Sequence, residues 1–198
     1  GHAGLAAGLH AIPGRQRGLP RRRRPCPRLG VYLTAKFCQQ CGHAMEIREI
    51  DGRDVPVCPA CDFHAWSNPT VATMVIIETP GGLVLGRRSI EPGYGLWCLP
   101  GGFVNEEESP ADAATRECQE EVQAKVRIES LLDVYHIVRG DGRGMVGIAY
   151  VASLEDGEVP TAGNEMLEVG LFAPDNLPEL AFSSHRRAIA AWREAPRA

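Results

Sequence analysis

The chain has 198 residues, of which 44% are hydrophobic, and a formal net charge of −4. A chain of this length and composition can bury a core, which excludes a wholly disordered protein. No apolar run approaches the roughly 18 residues of a membrane-spanning helix, so we expect a soluble protein of the cytoplasm. All 25 acidic residues follow residue 45, together with only 13 of the 21 basic ones. This acidic body disfavours nucleic acid as a partner and favours a site assisted by a cation.

The first 36 residues contain basic but no acidic side chains, and we expect them to form a disordered tail. They lack the apolar core of a signal peptide, and a targeting segment or a phosphate-binding basic arm is the alternative. We predict three parts: the basic tail over 1–36, a compact module over 37–68 and a larger domain over 69–198.

Four cysteines form two Cys-x-x-Cys pairs, Cys38 with Cys41 and Cys58 with Cys61, separated by 16 residues. Gly or Pro lies beside each pair, and tight turns of this kind let two thiolates face one ion. Four thiolates at this spacing are typical of a closed, tetrahedral, structural Zn²⁺ site. The intervening residues predict a hairpin with Asp-Gly at its turn, and zinc would supply most of the folding free energy of so small a ribbon. Two redox dithiols or two disulfides are the alternative.

The sequence of the larger domain predicts strands and two helices. Apolar and β-branched runs predict strands over 71–78, 83–88, 125–138, 144–153 and 168–173. The segment 91–102 is too rich in Gly and Pro for regular structure. A helix is expected to begin at Pro110, with Ser109 as its cap and Asp112 at the capping-box spacing. An amphipathic helix follows over 183–195. This order of elements favours an α/β sandwich with a mixed sheet.

The first predicted helix gathers three carboxylates on one face, because Glu117, Glu120 and Glu121 fall within about 100° of one another around its axis. The opposite side carries small or apolar residues suited to packing on a sheet. Like charges at this density repel one another, so the face is either an ordinary solvated surface or a cation site. Hard divalent ions such as Mg²⁺ bind oxygen ligands and keep water or phosphate in part of their shell. Three carboxylates beside a Gly-rich loop are suited to such an ion.

The spacing of the polar residues around this helix resembles the signature of the Nudix hydrolases. The residues that match are Gly102, Glu108, Arg116, Glu117, Glu120 and Glu121. The preceding "GLWCLPGG" is also typical of the family. Three positions depart from the signature: Cys118 and Ala124 stand where larger aliphatic residues are usual, and Gln123 stands where glycine is usual. Of these, Gln123 bears on the way in which the helix ends.

The resemblance covers roughly residues 70–180 and implies a Nudix-type α/β/α sandwich with a mixed sheet, preceded by a small zinc ribbon. A four-cysteine ribbon ahead of the domain is similar to a subgroup that includes NADH, FAD and ADP-ribose pyrophosphatases. The stretch "LAFSSHRRAI" at 180–189 looks most like the FAD/ADP-ribose branch. The resemblance therefore implies hydrolysis of the diphosphate bond in a nucleoside diphosphate linked to another group, with release of a nucleoside monophosphate.

Two alternatives to this activity belong to other functional classes. One is a Nudix module that senses a nucleotide without catalysis, which the complete set of carboxylates disfavours. The other is RNA binding or decapping by the ribbon and the basic tail, which the acidic body disfavours. We therefore expect a small-molecule nucleotide substrate and no membrane partner, and the sequence leaves open whether the chain forms a homodimer.

The resemblance also implies the ligands of the catalytic metal. By it, Glu117, Glu120, Glu121 and the backbone carbonyl of Gly102 would ligate Mg²⁺ or Mn²⁺. Metal ions in such a site neutralise phosphate charge and lower the pKa of the attacking water. The structural Zn²⁺ would be held separately by the four cysteines.

Other residues are given supporting roles by the resemblance. Arg116 would pair with Glu108 and hold the loop onto the helix. The general base would come from Glu120, from Glu121 or from an acid on the downstream loop. Glu165 and Glu168 are the candidates there, although each could instead be an ordinary solvated loop acid.

Three residues are candidates for substrate contacts. Arg88 lies at the end of a predicted strand and could contact the diphosphate, or could be an ordinary surface arginine. Phe103 and Tyr135 lie near the expected cleft, where an aromatic ring can stack on a base. Trp97 is expected to lie in the core.

Overall fold

The structure is a computed structural model that describes residues 35–196. The predicted disordered tail therefore lies outside the described residues, except for its last two positions. The elements in chain order are β1 (Glu46–Ile50), β2 (Arg53–Val57), β3 (Thr70–Thr79), β4 (Gly82–Arg88), β5 (Trp97–Cys98), α1 (Pro110–Glu121), β6 (Val126–Val138), β7 (Gly144–Leu154), β8 (Met166–Phe172) and α2 (Ser183–Glu194). Within the described range, no helix is both long and apolar enough to cross a membrane.

The small N-terminal sheet is the predicted hairpin. β1 pairs with β2 in antiparallel register, ending at Ile50 opposite Arg53. The turn between them places Asp51 at φ 51° and Gly52 at φ 73°. Asp and Gly tolerate this left-handed region, which two-residue hairpin turns require.

The large sheet is mixed, as predicted. Its strands follow the order β5-β4-β3-β7-β6, and β8 pairs with β4. β3 and β7 run parallel, whereas the other strand pairs are antiparallel. Parallel neighbours need a long crossover connection, and here the connection contains α1. The sheet topology therefore carries the acidic helix across one face of the sheet.

Each face of the large sheet packs against one helix, which confirms the α/β/α sandwich. Successive residues of β3 alternate between the two faces. Val75 and Ile77 pack in the cluster that contains Cys118 of α1. Ile76 packs in the cluster that contains Ile189 of α2. Full burial of such a side chain stabilises the fold by roughly 1.5–3 kcal/mol.

The segment 91–102 differs in part from its prediction as an irregular loop. Trp97 and Cys98 form a two-residue strand, β5, that pairs with Arg87 and Gly86 of β4. The prediction was wrong for these two residues, because the indole of Trp97 packs edge-to-face against Phe172 with ring centroids 4.6 Å apart. That contact draws the backbone onto the edge of β4.

After β5, the chain moves from β4 to the edge of β3. The backbone N–H of Val75 donates to the Pro100 carbonyl, and the N–H of Thr73 donates to the Gly102 carbonyl, both at 2.8 Å. β4 itself pairs with β3 only next to their connecting turn. The Gly101–Gly102 turn is therefore fixed to the centre of the sheet, next to α1.

Candidate active site

The helix that carries the acidic residues begins as the sequence predicts. Ser109 is its N-cap, and Pro110 occupies its first turn. The backbone N–H of Asp112 donates to the Ser109 hydroxyl at 3.2 Å, and that hydroxyl donates to the Asp112 carboxylate at 2.7 Å. This capping fixes the start of α1, and thereby which helix face Glu117 and Glu121 share.

The end of α1 accommodates glutamine where the family signature has glycine. Gln123 takes the left-handed conformation, with φ 50°. The N–H groups of Gly163 and Thr161 each donate at 2.9 Å, to the carbonyls of Glu121 and Val122 respectively. The Thr161 hydroxyl donates to Oε1 of Gln123 at 2.9 Å. A loop about 40 residues further along the chain thus binds the end of the helix and stabilises an unusual C-terminus.

Glu121 is the most enclosed carboxylate of the helix, at 5% exposure. Its Oε2 accepts a hydrogen bond from the backbone N–H of Gly101 at 2.8 Å. Burial, followed by the nearby charges of Glu117 and Glu165, raises the pKa of Glu121 to about 8, against the opposing effects of Gly101 and Arg88. The structure therefore encloses the Glu121 carboxyl and brings two further acidic side chains close to it.

Glu117 lies against the glycine turn. A Cβ atom on Gly102 would be 2.5 Å from the carboxyl carbon of Glu117, so only glycine permits this approach. Burial raises the pKa of Glu117, and Arg116 opposes that rise. One guanidinium nitrogen of Arg116 donates to Glu117 at 2.8 Å and to Glu120 at 3.1 Å. Glu120 is the most exposed of the three helix carboxylates.

Arg116 also forms the pair with Glu108 that the resemblance implies. Two of its nitrogens donate to the two carboxylate oxygens at 3.0 and 2.7 Å. The same side chain donates to the Phe103 carbonyl at 3.0 Å. Hydrogen bonding to Arg116 is the main reason that the pKa of Glu108 falls to about 2. Arg116 therefore holds the loop that follows the glycine turn onto α1.

The oxygen ligands around the turn are suited to a hard divalent cation. They include the carboxylates of Glu117, Glu120 and Glu121 and the backbone carbonyls of Gly101 and Gly102. The Gly102 carbonyl already accepts from Thr73 and retains one lone pair. Nothing in the described chain donates to the Gly101 carbonyl. Carboxylate and carbonyl oxygens of this kind suit an ion that keeps water in part of its shell.

Arg88 lies at this site rather than on the open surface. The residue is 9% exposed, and its Nε donates to the Pro92 carbonyl at 2.8 Å. Its guanidinium carbon lies 5.0 Å from the centre of the Phe182 ring. Its charge also lowers the pKa of Glu121 against the stronger effect of burial. The predicted phosphate contact is therefore a buried cation beside the acidic residues.

Phe103 and Tyr135 belong to one row across the sheet. Tyr135 pairs with Gly147, Gly147 with Ala72, and Ala72 with Phe103. Tyr135 belongs to the core cluster on the α2 side, so this row faces α2 rather than α1. Phe103 is 51% exposed, whereas Tyr135 is 4% exposed. Phe103 is thus open to a ligand, and Tyr135 is covered.

Two arginines that the sequence did not single out lie over these rings. Arg139, next to the β6–β7 turn, has its guanidinium carbon 5.8 Å from the centre of the Phe103 ring. Arg187 of α2 lies 4.8 Å from the centre of the Tyr135 ring. The only signal for them was the presence of arginine in "RGDGRG" and "SHRRAI", which does not indicate which rings they meet.

The four cysteines converge as predicted. Their sulfur atoms all lie within 4.8 Å of one another. The separations include 3.6 Å for Cys38 and Cys61 and 3.4 Å for Cys41 and Cys58. A disulfide needs about 2.05 Å, whereas tetrahedral zinc with Zn–S bonds of about 2.3 Å separates its sulfurs by about 3.8 Å. The arrangement fits zinc.

The same backbone turn supports both cysteine pairs. The N–H of Gly42 donates to the Cys38 carbonyl, and the N–H of Asp62 donates to the Cys58 carbonyl, both at 2.9 Å. Gly42 and Asp62 have φ angles of 76° and 57°. The two halves of the ribbon therefore use the same type of backbone turn to place their thiols.

His185 also lies close to the glycine turn, and the sequence assigned it no role. Its Nδ1 accepts a hydrogen bond from the backbone N–H of Leu99 at 3.0 Å. Burial, with smaller contributions from the charges of Arg88 and Arg186, lowers the pKa of His185 to about 3. The imidazole is therefore neutral and acts as an acceptor.

Comparison with known proteins agrees with this geometry. A family model described as the NUDIX domain matches residues 68–192. The ADP-ribose pyrophosphatase of Methanocaldococcus jannaschii is 35% identical over 128 residues, which are 64% of this chain and 75% of that protein. The NAD-capped RNA hydrolase NudC of Pseudomonas aeruginosa is 28% identical over 153 residues, covering 77% of this chain but only 53% of NudC. The crystal structure of a Nudix hydrolase from Nitrosomonas europaea is 32% identical, with a TM-score of 0.72, over 81% of this chain and 91% of that one.

Proposed function

Because the chain belongs to the Nudix hydrolase family, we propose that it cleaves the diphosphate bond of a nucleoside diphosphate linked to another group. The product would be a nucleoside monophosphate. The observation that carries this proposal is the buried Glu121 carboxylate, which lies beside Glu117 and Glu165 and binds the N–H of Gly101. A buried cluster of acids is unfavourable unless a cation and a phosphate complete it.

The residues that would hold Mg²⁺ or Mn²⁺ are Glu117, Glu120, Glu121 and the carbonyls of the Gly101–Gly102 turn. When bound, the ion neutralises phosphate charge and lowers the pKa of the attacking water. For Glu117 and Glu120 to face the ion, Arg116 must release them while it keeps its two bonds to Glu108. The Gly101 carbonyl accepts no hydrogen bond in the described chain, so it is as well suited as that of Gly102.

Glu165 is our candidate for the general base. Its charge raises the pKa of Glu121, which indicates that its carboxylate lies near the acidic face of α1. Its backbone carbonyl accepts from the Ser89 N–H at 2.8 Å, which fixes the loop next to Arg88. Glu120 and Glu121 remain the alternatives for this role.

The placement of Arg88 and Phe103 supports a role for each of them in substrate binding. Arg88 would bind the diphosphate as a buried cation. The exposed Phe103 ring would stack on a base, with Arg139 beside it. Tyr135 is buried, so it would contribute to substrate binding indirectly, by supporting the guanidinium group of Arg187 that lies over its ring.

We propose ADP-ribose, FAD or NADH as the type of substrate. The relative that is 35% identical bears the name ADP-ribose pyrophosphatase, which supports a free dinucleotide or nucleotide sugar. NudC is named for NAD-capped RNA. Here, however, residues 35–66 carry three basic and five acidic side chains, which disfavours an RNA-binding ribbon.

The ribbon would hold one structural Zn²⁺ through its four cysteines. The sulfur separations of 3.4–3.6 Å support this assignment. The proposed division of the chain remains a ribbon over 37–68 and a catalytic domain over 69–198. A closed set of four thiolates leaves no position for substrate, so we assign the ribbon no catalytic step.

A substrate panel tests the proposal. ADP-ribose, FAD and NADH are incubated with the protein and Mg²⁺, and a phosphatase then releases phosphate only from monophosphate products. We expect phosphate from at least one substrate, strong loss in Glu121→Gln, and full activity in Glu107→Gln, an exposed loop acid used as the matched control. Tight binding of ADP-ribose without turnover would favour the nucleotide-sensing alternative.

A further inference from the structure

The segment that leads into α2 runs alongside the strand that precedes the glycine turn. The N–H of Trp97 donates to the Glu179 carbonyl at 3.1 Å, and the N–H of Ala181 donates to the Trp97 carbonyl at 2.8 Å. His185 is the third residue of α2 and continues this contact by accepting from the Leu99 N–H at 3.0 Å. α2 is thereby joined to the backbone two residues before the turn.

This hydrogen bond defines the state of the His185 ring. Leu99 is 1% exposed, so its backbone N–H depends on a protein acceptor. An imidazole nitrogen accepts only when it carries no proton, which places the proton of the neutral ring on Nε2. Phe182 packs against the ring, with centroids 5.0 Å apart, and holds its orientation.

The link from Leu99 to the acidic site is short and stiff. Pro100 follows Leu99, and its ring fixes one of the two backbone dihedrals. The Pro100 carbonyl accepts from the Val75 N–H at 2.8 Å. The N–H of the next residue, Gly101, donates to the Glu121 carboxylate at 2.8 Å. A displacement at Leu99 is therefore passed to the bond between Gly101 and Glu121.

We propose that His185 is a positioning residue, which holds the Gly101–Gly102 turn against the α1 carboxylates and so increases the affinity for the divalent cation. This inference rests on the proposed function, because it assumes that the turn and the carboxylates share that ion. β3 fixes the turn from one side through Val75 and Thr73, and α1 fixes it through Glu121. His185 provides the third attachment, from the opposite layer of the sandwich.

Three substitutions at His185 separate this role from simple packing. In His185→Asn, Oδ1 can take the place of Nδ1 as acceptor. In His185→Gln the acceptor oxygen lies one bond further out, and His185→Leu has no acceptor. Mn²⁺ binding to the zinc-loaded protein is measured by titration calorimetry, and the Mg²⁺ dependence of hydrolysis is measured in parallel.

We expect the Mn²⁺ affinity of His185→Asn to lie within about threefold of wild type. The affinity of His185→Leu and of His185→Gln should fall by roughly tenfold or more, which is the size of effect seen when groups that orient metal ligands are lost. Activity at saturating Mg²⁺ should fall less than the affinity does. If the Leu variant does not fold, the difference in Mn²⁺ affinity between the Asn and Gln variants tests the inference by itself. Equal Mn²⁺ affinity in all folded variants, or an Asn variant as weak as Gln, would overturn the inference. Wild-type protein that binds no Mn²⁺ would instead refute the metal assignment of the proposed function.

Discussion

The two candidate metal sites of this chain are built in opposite ways. In the ribbon, four sulfur atoms lie within 4.8 Å of one another, on two copies of one turn and with almost no hydrophobic core. At α1, Arg116 donates hydrogen bonds to two of the carboxylates, and the supporting helix packs in a full core. We therefore expect the ribbon to depend on its ion to fold, and the larger domain to fold without an ion and to present an open ion site. A structural ion has all its coordination positions filled by the protein, whereas a catalytic ion keeps a position open for water or substrate.

The ribbon half of this comparison predicts the largest effect. Cys58→Ser removes a thiolate whose zinc site is worth on the order of 10 kcal/mol in small zinc modules. We expect zinc content to fall from one per chain to near zero, and the ribbon amides to lose protection from hydrogen exchange. The larger domain should keep its own protection. Cys26→Ser, a cysteine outside the two pairs, is the control and should retain zinc.

The α1 half predicts loss of activity without loss of fold. Glu121→Gln removes a charged ligand but keeps the shape of the side chain and its contact with the Gly101 N–H. We expect kcat/KM to fall by at least about 100-fold, because even groups that only orient metal ligands contribute 10- to 100-fold. Circular dichroism should be unchanged. A Glu121→Gln variant with full activity would show that the metal site has been misplaced.

The pH dependence of stability should reveal the buried carboxyl group of Glu121 on α1. The pKa of Glu121 is raised from 4.5 to about 8 in the fold, so the unfolded chain holds fewer protons between these values. Protein that retains zinc but lacks Mg²⁺ and Mn²⁺ should therefore lose stability as pH rises from about 4.5 to about 8. The loss should be on the order of a few kcal/mol. Urea unfolding across this range measures it, and a slope that persists in Glu121→Gln would rule out this residue as its source.

The ionisation of Glu108 should change stability with pH in the opposite direction, so that stability rises as pH rises. Arg116 lowers its pKa from 4.5 to about 2 in the folded state. Its contribution is therefore fully present above about pH 4.5 and is lost as pH falls toward 2. Glu108→Gln should flatten the acid limb of the stability curve and leave the limb assigned to Glu121 in place. A variant that changes both limbs equally would show that the two carboxylates are coupled.

The smallest effect is expected at the end of α1. Gln123→Gly relieves a left-handed backbone but loses the bond to Thr161 and gains entropy in the unfolded chain. These effects oppose one another, so the free energy of unfolding should change by no more than about 0.5 kcal/mol. Thermal unfolding measures it. A loss above about 2 kcal/mol would mean that the Gln123–Thr161 pair holds the loop that carries Glu165.

Local patterns predicted much of this molecule. The Ser109 cap, the carboxylate face of α1 and the two cysteine pairs depend on residues within a few positions of one another, and the strands follow from short apolar runs. The mixed sheet was predicted from the order of elements. These features depend on helix geometry, turn chemistry and strand propensity, which are readable in a short window of sequence.

Contacts between distant segments could not be predicted in this way. His185 meets Leu99 across 86 positions, and Thr161 meets Gln123 across 38. The row that joins Phe103 to Tyr135 depends on the register of four neighbouring chain segments. No local pattern encodes such a register, because it results from the packing of the whole sandwich.

The most direct test of the separation between the two sites is the Mg²⁺ dependence of AMP release from ADP-ribose, measured on zinc-loaded, magnesium-free protein. We expect the protein to be folded and its ribbon intact before Mg²⁺ is added, and AMP with ribose 5-phosphate to appear only afterwards. Phosphorus NMR identifies both products in one sample. AMP release that is already complete with zinc alone, or ADP-ribose, FAD and NADH that all stay intact with both Mg²⁺ and Mn²⁺ present, would contradict the account.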